Sequence, residues 1–331
     1  MVSFSSYLAF AGAISACIEF TASVAAASSN VAGITLSSPG SGTIQVGPEP
    51  LDLFFRFCKP QHLSKRNKTV QILGHGATYT HDYWNFRYKP KLYSYERAAL
   101  AAGYYPSPFD VVQTPLNIKI AAKIIKAVRN NTLGHSKHRL GRFDKIVYVG
   151  HSMGSVILNG VMANEPELVD VAVLTGYAHV PLRIPTIAGG ELQIAANAFP
   201  AQFGNLDHGY TVFTSRSLFY GPPGSYDEAA LQHDIATQNI LSISDAFTLS
   251  LGVIAAPKYR GHVLAVNGEE DFLFCVRAGC ANLYDEGRSF YPAAASFEAQ
   301  VVPNTGHSLN MHRSSVSTYA LIMAWLEQKG M

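Results

Sequence analysis

Charge is scarce in this sequence, and neither sign dominates. Asp, Glu, Lys and Arg make up 15% of its 331 residues, and the formal net charge is only +2. A chain without a strong basic field has no electrostatic means of gathering a polyanion, so we expect a small-molecule partner and no nucleic acid. Because 48% of the residues are hydrophobic, the chain can bury one large core and is not a disordered protein.

The apolar N-terminus lacks the unbroken run that a membrane-spanning helix needs. Residues 1–27 are mostly small or apolar and end in an Ala-x-Ala-like site, which indicates a secretory signal peptide cleaved near Ala27. Glu19 interrupts the segment and argues against a stable membrane span. No Lys or Arg precedes the apolar stretch, so an uncleaved anchor and a buried helix are the alternatives. Asn67 and Asn130 each begin an Asn-x-Thr glycosylation pattern, which fits a secreted glycoprotein.

Cysteine is scarce too, with four residues in the chain. Cys17 would leave with the signal peptide, so three cysteines would remain. Cys275 and Cys280 lie close together in the sequence and are the expected disulfide in an oxidising compartment, which would leave Cys58 free. Three reduced cysteines are the alternative.

One stretch carries a chemical signature. Residues 144–154 form a β-branched, apolar run that ends in Gly150-His151-Ser152-Met153-Gly154, and helical spacing resumes after it. A G-x-S-x-G pentapeptide between a strand and a helix is typical of a nucleophile elbow, in which glycines allow close packing and the serine hydroxyl stays exposed. Ser152 is therefore the candidate nucleophile. The alternative is an ordinary tight turn that happens to contain a serine.

A second glycine-rich loop precedes the elbow. The β-branched run at 69–73 stops at Gly74-His75-Gly76-Ala77-Thr78. Glycine lets the backbone approach a substrate closely, so the N–H groups of Ala77 and Met153 are the expected oxyanion hole, with the Thr78 hydroxyl as a further donor. The aromatic residues that follow this loop in the sequence either line the substrate pocket or pack in the core. The residues expected in the substrate pocket are His75, Gly76, Thr78, Tyr83, Trp84 and His151.

Two later loops supply the expected partners of the serine. The strand pattern at 261–268 ends in Glu269, Glu270 and Asp271, and the fit to G-x-x-D makes Asp271 the predicted acid, with the two glutamates as alternatives. The last strand is followed by Thr305-Gly306-His307, which makes His307 the predicted base, and His312 competes for that role. Serine, acid and histidine then follow one another in the order of the α/β-hydrolases.

Strand and helix patterns alternate through residue 176. This alternation predicts a doubly wound, mostly parallel sheet with its functional loops at the carboxyl ends of the strands. The rhythm stops at 181–257, where helical stretches, Pro-Pro-Gly and aromatic residues predict an inserted, mainly helical lid. The hydrolase core would then comprise 28–180 and 258–331, and a helix at 315–328 would close it. Extra helical packing without a role in binding is the alternative for the lid.

Five segments together resemble the α/β-hydrolase superfamily: residues 74–78, the aromatic residues 83–86, residues 150–154, the Asp271 loop and Thr305-Gly306-His307. They are most similar to secreted fungal serine hydrolases, some of which accompany polyketide biosynthesis. The resemblance covers roughly residues 69–328. It implies the α/β-hydrolase fold and an esterase, lactonase, thioesterase or acyl-transfer enzyme that needs neither cofactor nor metal. Two alternatives stay open: release or cyclisation of a polyketide-like intermediate by acyl transfer, and a non-catalytic binding protein that keeps the fold.

Overall fold

The structure is a computed structural model, and it describes residues 16–34, 38–48, 50–60, 68–101, 105–109, 113–133, 140–179, 191–275 and 280–331. Within these ranges the strands are β1 (Ala16–Ala25), β2 (Ser28–Val31), β3 (Thr43–Val46), β4 (Pro50–Lys59), β5 (Thr69–Gly74), β6 (Tyr105–Phe109), β7 (Lys145–His151), β8 (Val171–Thr175), β9 (Leu192–Ile194), β10 (Tyr210–Phe213), β11 (Leu241–Ser242), β12 (His262–Gly268) and β13 (Ser296–Val302).

The α-helices of the same ranges follow the strands in alternation through the core. They are α1 (Pro90–Tyr93), α2 (Tyr95–Ala101), α3 (Thr114–Arg129), α4 (Met153–Asn164), α5 (Ala195–Ala198), α6 (Pro200–Phe203), α7 (Glu228–Thr237), α8 (Ile243–Thr248), α9 (Leu283–Phe290) and α10 (Ser315–Gln328). No helix in the described part of the chain is long and apolar enough to cross a membrane.

The centre of the molecule is a six-stranded sheet in the order β13-β12-β8-β7-β5-β6, and every neighbouring pair in it is parallel. Strands β5 and β8 are buried along their whole length, and β7 is buried beyond its first residue. Continuous apolar runs suit parallel strands that are covered on both faces. Helices α3 and α4 pack on each other, as do α2 and α10. The predicted doubly wound parallel sheet is confirmed.

The lid region is more mixed than the sequence suggests. Residues 191–257 contain α5 to α8 and also a small antiparallel sheet in the order β11-β10-β9. These strands are two to four residues long, too short for an alternating pattern to show in the sequence. Residues 181–190 of the predicted lid lie outside the described residues.

The N-terminal region forms a two-stranded ribbon. Strand β1 pairs antiparallel with β4 over ten residues, and a disulfide joins Cys17 to Cys58. The expectation that Cys58 is free is therefore wrong, because its partner was assigned to the leader. Cleavage near Ala27 would remove β1 and this disulfide, whereas a leader that ends before Cys17 would keep both.

Candidate functional site

Ser152 occupies the turn between β7 and α4 in a backbone conformation that non-glycine residues rarely adopt. Its φ is +52° and its ψ is −116°, and its N–H donates to the carbonyl oxygen of Thr175 on β8 at 2.9 Å. The flanking glycines have no room for a side chain. A Cβ on Gly154 would lie 2.1 Å from the carbonyl oxygen of Gly74, and one on Gly150 would lie 2.6 Å from the Cα of Ser155. The nucleophile elbow therefore depends on both glycines for its close packing.

Asp271 is the acid that meets His307. The Nδ1 of His307 donates to Oδ2 of Asp271 at 2.8 Å, and both side chains are almost completely buried. Oδ1 of Asp271 accepts the N–H groups of Leu273 and Phe274 at 2.9 and 3.1 Å, which fixes the carboxylate. This bond places the proton on Nδ1 and leaves the Nε2 of a neutral His307 as an acceptor.

The two glutamates before Asp271 face solvent. Glu269 and Glu270 are exposed, and Glu269 accepts a hydrogen bond from the N–H of Asn304. Neither has the buried position from which Asp271 reaches the imidazole. The structure thus distinguishes between three acids that the sequence leaves as alternatives.

His307 lies beside the elbow. Its ring centroid is 4.9 Å from that of His151, the residue before Ser152. A Cβ added to Gly176 would lie 2.8 Å from Cε1 of His151 and 3.1 Å from Cε1 of His307, so both rings crowd the same glycine. Phe274 stacks on the His307 ring, with the ring centroids 5.8 Å apart. The serine and histidine loops therefore converge at the carboxyl ends of the central strands.

His312, the alternative to His307 as the predicted base, is held by backbone groups. Its Nε2 accepts N–H groups from Gly221 and Gly306 at 2.8 and 3.0 Å, and its Nδ1 donates to the carbonyl oxygen of Ser308 at 2.9 Å. Burial lowers the pKa of His312 to about 4, so the ring is neutral at pH 7. Both ring nitrogens are occupied by backbone groups, and His312 holds the lid against the His307 loop.

The glycine-rich loop after β5 lies against the elbow. A Cβ on Gly76 would lie 3.0 Å from the Cβ of Ser152, so the backbone here approaches the serine closely. Met153 begins α4, and the first N–H groups of a helix have no acceptor within it. The expectation that the Thr78 hydroxyl is a further donor to the oxyanion is wrong, because this O–H donates to the carbonyl oxygen of Ala77 at 2.7 Å.

A cavity of about 300 Å³ opens next to these loops, at the small end of the usual range for ligand sites. Of the predicted pocket residues, it is lined by His75, Gly76 and Thr78. The remaining lining residues come from the loop after β5, the start of α4 and the lid: Ala77, Tyr79, Met153, Tyr210, Asn239, Ile240, Leu241, Ser242 and Asp245.

Three predicted pocket residues lie elsewhere. Tyr83 and Trp84 are buried in the core, and neither they nor His151 line the cavity. Tyr83 stacks on the His151 ring with centroids 4.2 Å apart, and Trp84 packs edge-on against Tyr83. Burial lowers the pKa of His151 well below its ordinary value, and the nearby His307 adds to the effect. These aromatic rings therefore pack around His151 of the elbow and leave the cavity to other residues.

A buried ion pair joins the lid to the glycine-rich loop after β5, and the sequence does not reveal it. The Nε and Nη2 of Arg216 donate to the two oxygens of Asp234 at 3.0 Å each. Nη1 of Arg216 donates to Oγ1 of Thr78 at 2.5 Å, and the guanidinium lies 4.1 Å from the centroid of the Tyr79 ring. The hydroxyl of Tyr220 also donates to Asp234. Because Arg216 is 18 positions from Asp234 and 138 from Thr78, no local pattern indicates these contacts.

The remaining predicted residues have simple outcomes. Cys275 and Cys280 form a disulfide beside the Asp271 loop. Asn130 is exposed at the end of α3, while Asn67 lies outside the described residues. Among described side chains, the group with ligand atoms close enough for a metal is Cys17, Cys58 and Glu96, but the sulfurs are joined in a disulfide and Glu96 pairs with Arg56.

Comparisons with known proteins agree with this geometry. Residues 71–316 match the profile described as "Alpha/beta hydrolase family". No curated protein has a matching sequence. The structure is similar to a monoacylglycerol lipase of Paleococcus ferrophilus, with a TM-score of 0.60 and 14% identity over 84% of this chain and 100% of that one.

Two structures from Saccharomyces cerevisiae are similar as well. A soluble variant of monoglyceride lipase has a TM-score of 0.55 and 13% identity over 84% of this chain and 92% of that one. The peroxisomal alpha-beta-hydrolase Lpx1 has a TM-score of 0.52 and 14% identity over 95% of this chain and 89% of that one. At these identities the similarity concerns the fold, and it confirms the predicted α/β-hydrolase fold.

Proposed function

Because the chain belongs to the alpha/beta hydrolase family, we propose that it is a serine hydrolase that cleaves a carboxylic ester or lactone through an acyl-enzyme on Ser152. The observation that carries the proposal is the buried hydrogen bond between His307 and Asp271. The His307 ring lies 4.9 Å from that of His151, which directly precedes a serine with a positive φ at a strand-to-helix turn. Several of the similar structures are those of lipases or other lipolytic enzymes, which supports an ester substrate.

Each step of the reaction has a residue. Ser152 attacks the carbonyl carbon while Nε2 of His307 takes the hydroxyl proton, and His307 then returns it to the leaving alcohol, a form of catalysis worth about 10²–10⁴-fold. Asp271 orients the ring and stabilises the imidazolium. The N–H groups of Met153 and Ala77 would hold the oxyanion, where the loss of one donor costs about 3 kcal/mol. Water then attacks the acyl-enzyme by the same route in reverse.

Labelling with a fluorophosphonate followed by peptide mass spectrometry tests the proposal. We expect one adduct on Ser152, no adduct in Ser152→Ala and much slower labelling in His307→Ala. Ser250→Ala is the matched control, because Ser250 is exposed on the lid and its variant should label like the wild type. If the folded wild-type protein is not labelled, the serine hydrolase mechanism is contradicted and a non-catalytic binding protein is favoured.

The acid can be tested with a matched pair of variants. Asp271→Asn should lower kcat by about 10²–10⁴-fold, because the imidazole loses the group that fixes its tautomer. Glu269→Gln changes the same chemistry at an exposed position and should leave kcat unchanged. Acyl transfer to an alcohol, the alternative reaction, would use the same acyl-enzyme, and product analysis with and without added alcohol separates it from hydrolysis.

A further inference from the structure

The cavity beside the elbow is placed to receive part of the substrate. Its wall includes both Ala77 and Met153, the residues whose N–H groups would hold the oxyanion. A group attached to the reacting carbonyl therefore enters this space. The lid also contributes lining residues, around β11 and α8.

The lid wall contains one carboxylate, Asp245. Its side chain is buried, with the residue only 5% exposed. Oδ2 accepts the hydroxyl of Ser242 at 2.7 Å, and Oδ1 accepts the Nδ2–H of Asn117 at 3.0 Å. Both partners are neutral, and the described residues that line the cavity include no Lys or Arg.

This arrangement leaves acceptor capacity at the cavity wall. A carboxylate has about four lone-pair sites, and two are used here. Burial raises the pKa of Asp245 to about 6, so the group carries its charge above that pH despite the cost of desolvation. A purely alkyl group in the cavity would take water away from these lone pairs and replace it with nothing, whereas an anionic group would meet the carboxylate's charge.

Resting on the proposed esterase function, we propose that this cavity binds an acyl or alcohol part that carries a hydrogen-bond donor, a hydroxyl or an ammonium, and that Asp245 accepts that hydrogen bond. The apolar residues Ile240, Leu241 and Met153, which also line the cavity, would contact the carbon chain that leads to it. Asp245 is then a specificity-determining residue, and the substrate is a small polar ester.

The test compares matched esters on the wild-type chain. In the acyl arm, 4-nitrophenyl 6-hydroxyhexanoate and 6-ammoniohexanoate are compared with 4-nitrophenyl heptanoate. In the alcohol arm, 2-hydroxyethyl butyrate and 2-(dimethylammonio)ethyl butyrate, whose protonated amine carries one N–H donor, are compared with propyl butyrate. We expect kcat/KM to be about 10–100-fold higher for the donor-bearing ester in one arm, the size of one hydrogen bond to a charged group. The arm that responds identifies which part of the substrate enters the cavity.

Variants locate the effect. Asp245→Leu should bring the ratio of donor-bearing to alkyl ester to about one, and Asp245→Asn should abolish the ammonium preference while keeping part of the hydroxyl preference. Asp285→Asn removes the same charge from an exposed position on α9 and should keep both preferences. The ratio of the two kcat/KM values is measured on a single sample of each variant, so it does not depend on the fraction of protein that is folded. If the variants do not fold, the ratio for the wild type still decides the question.

The two proposals fail separately. If the wild type hydrolyses alkyl esters through Ser152 but shows no preference for a donor in either arm, the inference about Asp245 is overturned and the esterase function stands. If no ester is hydrolysed and Ser152 does not label, the proposed function itself falls.

Discussion

His307 and His312 show how two identical side chains in one loop acquire different chemistry. His307 meets a carboxylate through Nδ1 and lies beside the elbow, whereas His312 binds three backbone groups through both nitrogens. A histidine whose nitrogens are both occupied by the backbone cannot shuttle a proton. The proposal that His307 and not His312 is the base therefore rests on hydrogen-bond partners, which the residue type alone does not reveal.

Buried histidines should make the protein sensitive to acid. Burial lowers the pKa of His312 to about 4 and that of His179 to about 3. Below about pH 6.5 the unfolded chain therefore binds protons at these histidines that the folded chain does not bind. The free energy of unfolding should fall between pH 7 and pH 5 by roughly 2 kcal/mol for each histidine. Asp245, with its pKa raised to about 6, offsets about 1 kcal/mol, because the folded state binds its proton first.

Urea unfolding at pH 7 and pH 5 measures this change. His312→Asn should fold less stably and show a smaller loss on acidification, whereas His208→Ala, at an exposed lid position, should keep the wild-type slope. Equal stability of the wild type at the two pH values would contradict the assignment.

At the scale of elements, the lid is joined to the loop after β5. Arg216 lies in a 3₁₀ helix of the lid and Asp234 on α7, and their ion pair also contacts Thr78 in the loop after β5. The φ of Thr78 is +60°, a strained value that surrounding contacts must maintain. The lid therefore stabilises the conformation of the loop after β5 and also lines the cavity.

Breaking this pair should cost both stability and activity. Arg216→Met leaves the Asp234 carboxylate buried without its cation, and we expect a loss of about 3–5 kcal/mol in the free energy of unfolding. The double variant Arg216→Met/Asp234→Asn should recover part of that loss, since no charge is left unpaired. Lys126→Met breaks a half-exposed pair with Glu165 and should cost far less.

The same variants should separate stability from catalysis. Urea unfolding gives the first quantity, and kcat/KM of the remaining folded protein gives the second. If the double variant regains stability but not kcat/KM, the guanidinium contributes to activity through its contact with Thr78 in the loop after β5. Full activity in a folded Arg216→Met would remove that role.

At the scale of the whole molecule, the N-terminal ribbon extends the hydrolase core. The ribbon precedes the segment that matches the family profile, and β4 lies next to β6, the edge strand of the main sheet. Leu53, Phe55 and Phe57 of β4 are buried against the core. A ribbon at this place covers an edge that would otherwise present unpaired backbone groups.

The ribbon leads to a prediction about the mature chain. We expect a leader that ends before Cys17, because cleavage near Ala27 would remove β1 and leave Cys58 without its partner. Intact mass spectrometry of the protein secreted by a eukaryotic host, with and without reduction and alkylation, measures this directly. A mature chain that begins after Ala27 and carries an alkylatable Cys58 without prior reduction would restore the longer signal peptide.

The sequence alone determined what depends on neighbouring residues. Continuous apolar runs defined the buried parallel strands, the helix predicted at 315–328 coincides with α10, and G-x-S-x-G identified the elbow because its chemistry lies within five positions. Only the tertiary structure selected Asp271 over the two glutamates, joined Cys17 to Cys58, and placed Asp234 on Arg216 and Asn117 on Asp245. These contacts join residues from 18 to 128 positions apart, so they depend on how the elements pack and not on any local pattern.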